Sequence, residues 1–130
     1  MASFHIKMTA QKQMTLSKLE NHLRSNSNAE FLSRAEYQFG DSHVLLLVFE
    51  EYYYRASGTI SLTVLLIEHT DNQTAEIIAS GGGEGTNFSF GACRSFAKSC
   101  MKVLENCGFA GSDPEPEKKL TKRVLEYFID

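Results

Sequence analysis

Between residues 43 and 80 the chain runs through three stretches rich in β-branched, aliphatic and aromatic residues: 43–54, 59–68 and 74–80. Only residues 55–58, with Ala56-Ser57-Gly58, and 69–73, with Asp71-Asn72-Gln73, part them. Such residues suit a pleated, half-buried surface. Connections this short join antiparallel neighbours, because a parallel pair needs a crossover of a dozen residues or more. The segment therefore commits the chain to an antiparallel sheet. Residues 31–39, turned back at Gly40-Asp41, add one strand. Phe4, Ile6 and Met8, alternating with His5 and Lys7, add a short first one.

Helical spacing flanks these strands. Residues 11–24 set Leu16, Leu19 and Leu23 on one side, with Ser25-Asn26-Ser27-Asn28 as a stop. Ser17 and Glu20 have the spacing of a capping box, which would move the start of this helix later. Residues 91–106 carry a stripe that includes Cys93, Phe96, Cys100, Val103 and Leu104, and Gly108 is placed to end it. Asp113 and Pro114 suit the start of a last helix, with Leu120, Val124, Tyr127 and Phe128 on its apolar side. The predicted order is β-α-β-β-β-β-α-α. That is an α+β fold, one domain over residues 1–130, with helices packed on one face of an antiparallel sheet. A flat two-layer sandwich and a curved sheet gripping a long helix both fit.

Composition excludes several function classes. The 130 residues carry a formal net charge of -3, and no basic face is evident that would neutralise phosphates, so no nucleic-acid partner is expected. The longest apolar run, residues 44–49, is far short of the ~20 residues that span a bilayer. Residues 1–10 contain no apolar signal core. No membrane association is expected, and a cytoplasmic location is. Cys93, Cys100 and Cys107 are spaced by seven. On one helix, neighbours of that spacing stand about 10 Å apart along the axis. This is too far for a disulfide or for a jointly held zinc ion. They read as buried thiols of a reducing compartment. No two of His5, His22, His43 and His69 fall at metal-binding spacing, and no metal or cofactor is expected.

Two clusters are candidates for chemistry. Glu50-Glu51-Tyr52-Tyr53-Tyr54-Arg55 splits by strand parity, with Glu51, Tyr53 and Arg55 on one face and Glu50, Tyr52 and Tyr54 on the other. Hairpin loop length decides which set meets the helices. A two-residue loop at Ser57-Gly58 puts Arg55 opposite Ile60 and Tyr53 opposite Leu62; one more residue reverses the faces. The inward set would line a pocket, whereas an outward set is a solvated ion pair at a strand end. The run Gly81-Gly82-Gly83-Glu84-Gly85 precedes a helix, so Gly82 and Gly83 are candidates for cradling an anion. The run lacks the lysine of a phosphate loop, however, and Glu84 repels an anion. A strand exit needing positive φ or close packing suits it better.

Glu50 to Arg55, then Ser61-Leu62-Thr63-Val64, then Gly81-Gly82-Gly83 before a helix, together resemble a small bacterial protein family of unknown function, over about residues 44–104. The resemblance implies a bacterial cytosolic source and brings no activity or catalytic residues. Three functional readings follow from the residues. The apolar excess on both faces of 44–49 and at Leu65 and Ile67 favours a homo-oligomeric interaction module, a homodimer. Next comes a binding protein for a small apolar ligand between sheet and helix. An enzyme using the Glu/Tyr/Arg cluster ranks last.

Overall fold

The computed structural model describes residues 2–54, 58–82 and 87–111. Their elements are β1 (Ala2–Gln11), α1 (Leu16–Ser25), β2 (Glu30–Phe39), β3 (Ser42–Tyr53), β4 (Gly58–His69), β5 (Asn72–Gly81), α2 (Asn87–Asn106) and β6 (Ala110–Gly111). The expected β-α-β-β-β-β-α order is present, followed by a two-residue strand that no sequence pattern announced. The helix expected from Asp113 lies outside the described residues.

All six strands form one antiparallel sheet in the order β2-β3-β4-β5-β1-β6. β2 to β5 are a meander, as their short connections require. β1 then pairs along β5 over the full length of both strands, from Ala2↔Gly81 to Gln11↔Asn72. Register places one residue set of each strand on a common face. Leu47 of β3 stands opposite Val64 of β4, Val64 opposite Ile77 of β5, and Ile77 opposite Ile6 of β1. All four are at most 1% exposed. Both helices close over this face: Leu16, Leu19 and Leu23 from α1, and Cys93, Phe96, Ala97, Cys100 and Leu104 from α2, belong to the same core. The helices thus lie on one side of the sheet, and the other side is bare among the described residues.

Local chemistry sets the helix ends. β1 runs on to Gln11, and Lys12 N–H then donates to the Asp71 carbonyl at 2.7 Å, which keeps residues 11–15 out of α1. Thr15, not Ser17, is the N-cap: its hydroxyl accepts from Lys18 N–H at 3.2 Å. At the other end of the core, Gly108 sits at φ +96° and donates to the Glu105 carbonyl, while Phe109 N–H reaches the Leu104 carbonyl at 3.0 Å. This pair of bonds satisfies the last carbonyls of α2 and needs a residue that tolerates left-handed φ. The three cysteines are buried and unbridged, in the arrangement expected of core thiols.

Candidate functional site

The β3–β4 register decides the parity that the sequence left open. Tyr53 pairs with Gly58 and Glu51 with Ile60, so residues 54–57 form the connection. That is two residues longer than the shortest hairpin, and an even shift preserves the faces. Ile60 is fully buried, so Glu51 and Tyr53 point to the helix side, continuing the line of Leu45, Leu47 and Phe49. Tyr52 is on the opposite face and 55% exposed.

Glu51 and Tyr53 lie where the helix layer leaves a gap, a pocket of about 210 Å3. Its floor is Phe49 and Leu62 of the sheet. Phe96, Ser99, Cys100 and Val103 form the α2 wall, and Leu23 with Asn26, Ser27 and Asn28 forms the rim where α1 ends. The Tyr53 ring packs near Phe96, centroids 6.0 Å apart. Its hydroxyl donates to Glu51 Oε2 at 3.0 Å. The pocket therefore joins an apolar floor and wall to a polar rim, with one carboxylate, one phenol and several amides and hydroxyls. No basic side chain lines it among the described residues.

The protonation states follow from burial. Burial pushes the Tyr53 hydroxyl up, and the hydrogen bond to Glu51 and the carboxylate charge push it further, so it stays a donor at neutral pH. Burial likewise pushes the Cys100 thiol up to about 12, which keeps it in the unreactive thiol form. These groups suit recognition: a carboxylate oxygen to accept, and a floor and wall to cover an apolar body.

Of the residues singled out in the sequence, Glu51 and Tyr53 come together. Arg55 and Gly83 lie outside the described residues. Gly82, at φ +90°, sits at the same end of the sheet, since its predecessor Gly81 pairs with Ile60. A Cβ on Gly82 would stand 2.7 Å from Ser89 Oγ, so the described geometry gives this glycine the close-packing role. Among the described residues no three His, Cys, Asp or Glu side chains group as metal ligands would, and no helix is long and apolar enough to cross a membrane.

Sequence reasoning missed what holds the rim. Glu20, only 8% exposed, takes Arg34 in a two-pronged pair, Nε at 3.0 Å and Nη2 at 3.1 Å, and Arg24 at 3.2 Å. Arg34 continues to Glu36, which also pairs with His43 at 2.7 Å. Arg24 in turn lies 3.9 Å from the centre of the Phe31 ring. This chain of charges fastens α1 to β2 and β3, with Asn26, Ser27 and Asn28 just beyond its end. Fourteen residues separate Glu20 from Arg34, and no periodic signal in the sequence links them.

Taken together, these features define a single-sheet α+β domain with a small, acid-walled pocket at one end of its helix layer. The chain belongs to the family of unknown function DUF6054, whose model matches residues 1–108 and so takes in every residue of the pocket. No curated protein and no solved structure matches the chain.

Proposed function

We propose that this protein is a non-catalytic binding module for a small organic molecule with an apolar body and a hydrogen-bond-donating head, an amine above all. The observation that carries this reading is a half-buried carboxylate lining a pocket with an apolar floor on the helix side of the sheet. The Tyr53 hydroxyl supplies one bond to Oε2 of this half-buried carboxylate. A bound ammonium would supply charge-assisted bonds. The volume, about 210 Å3, is below the ~300–1,000 Å3 of ordinary drug-sized sites. At about 30 Å3 per water it corresponds to roughly seven waters, which limits the ligand to about ten non-hydrogen atoms. A cytoplasmic setting, supported by three buried and unbridged thiols, belongs to the same reading.

Phenethylamine and phenylacetate, nearly equal in size and opposite in charge, test it. The amine at millimolar concentration should raise the Tm of the full chain and the carboxylate should not, because only a ligand of the folded state shifts the midpoint. Glu51→Gln should remove the response. Equal responses to both probes, or none to the amine, would overturn the proposal.

A further inference from the structure

The bare face of the sheet carries a feature independent of the pocket. On β2 the usual polarity is inverted. Arg34, Glu36 and Gln38 lie on the side that β3 turns toward the helices, whereas Ala35, Tyr37 and Phe39 are on the side away from them. Tyr37 and Phe39 stack with centroids 6.1 Å apart and are 54% and 66% exposed. Register then joins them to a continuous apolar field: Tyr37 opposite Val44, Val44 opposite Ile67, and, one row along, Leu46 opposite Leu65. Val48 and Ile78 extend it. Beyond Ile78 this face is polar on β5 and β1, with Lys7 opposite Glu76 and Thr9 opposite Thr74.

We infer that a second copy of this chain covers the field, in a dimer that packs sheet against sheet with the helices outermost. Three observations select that occupant. The first is area. Four strands at about 4.8 Å spacing and four rows of outward side chains give a footprint of about 500 Å2. A standard interface removes about 800 Å2 from each partner, 56–65% of it apolar, so the footprint and its border approach the size required, and Ser42, Thr63, Thr74 and Glu76 among its apolar residues give it the mixed polarity of an interface. The second is charge. Within the footprint Glu76 stands opposite Leu65, but it is also opposite Lys7 and 3.2 Å from His5, and His69 at the corner shares a 2.8 Å hydrogen bond with Ser42. Two copies therefore meet without burying an unpaired charge. The third is shape. The field is the surface of a sheet, which stacks on another at about 10 Å with strands nearly aligned, and a symmetric dimer requires a patch that meets itself.

Sedimentation equilibrium of the full chain between about 1 and 100 µM reads the assembly directly. The expected mass is twice the 14.6 kDa of one chain, falling to the single-chain mass in Leu46→Glu and in Ile67→Lys, each with an unchanged far-ultraviolet circular dichroism spectrum. Thr9→Glu, on the polar side, should remain dimeric. A wild-type chain that stays monomeric throughout overturns the inference. If in that case Leu46→Glu also lowers the Tm, the cover comes from residues 112–130 of the same chain. A dimer that both substitutions leave intact overturns it equally, by placing the contact elsewhere.

Discussion

The two faces of the sheet are built from the same strands and obey opposite rules. On the helix side, Leu45, Leu47, Ile60, Val64, Leu66 and Ile77 are 0–1% exposed, and polar groups enter only where a partner awaits them. On the bare side, Leu46, Leu65 and Ile67 are only half-buried, and Tyr37 and Phe39 are mostly in solvent. A protein that needed only to fold would place polar residues there. The difference teaches that the helix face carries the stability and leaves an acid-walled gap, while the other face keeps apolar area that no described residue covers.

Adjacent residues of β4 give the sharpest way to break that comparison. Leu66→Ala on the helix side should cost about 2–5 kcal/mol, lowering Tm by on the order of 10 °C. Leu65→Ala, one residue away on the bare side, should cost about 1 kcal/mol or less in dilute solution. Thermal or urea unfolding reads both, and equal costs would erase the distinction between the faces.

The next effect concerns a polar group that the core does accept. Gln73, 2% exposed, donates to the Met14 carbonyl at 2.9 Å and to Glu68 Oε1 at 2.8 Å. Gln73→Leu strands both acceptors and should cost about 1–3 kcal/mol by urea unfolding. Glu51 should behave in the opposite way. If it serves a ligand rather than the fold, Glu51→Leu should leave Tm unchanged or raise it by a few degrees while abolishing amine binding, the usual cost of a functional site to stability. A fall in Tm would make Glu51 a structural residue.

The smallest effect is at the edge. Hydrogen bonds from Arg34 and His43 hold the Glu36 carboxyl below its ordinary value of 4.5. A depressed carboxyl contributes stability that is full above the unfolded-state value and is lost as pH falls through the folded one. Glu36→Gln should therefore melt slightly below wild type at pH 6–7, and the two should converge as the pH falls from the ordinary carboxyl value of 4.5 through the lowered one. A gap that does not narrow at all with falling pH would show that the charge of Glu36 is not what matters.

Much of the fold was legible in the sequence because hydrophobic period and turn chemistry are local. The meander, both helices and the glycine that ends α2 follow from residues close together in the chain. The face that β3 turns to the core was not legible, since it depends on a loop length, and residues 54–57 carry no signal that fixes one. The start of α1 was misplaced because the Lys12–Asp71 bond joins residues 59 apart. The pocket was half visible: Glu51 and Tyr53 stood out as a cluster, but Asn26, Ser27 and Asn28 read only as a helix stop, and Phe96 and Val103 only as core. What brings them together is the docking of α1 through Glu20 and Arg34, a long-range contact between residues that each look like surface.

Everything rests on the division of β3 into an inward odd-numbered set and an outward even-numbered set, and aromatic nuclear Overhauser contacts test that division most directly. With Tyr53 beneath α2 and its ring 6.0 Å from that of Phe96, cross-peaks should connect the ring protons of Tyr53 to Phe96, and none should connect Tyr52 to Phe96. Cross-peaks from Tyr52 to Phe96 in place of those from Tyr53 would mean a strand slipped by one residue, with Glu51 on the bare face and no acid in the pocket.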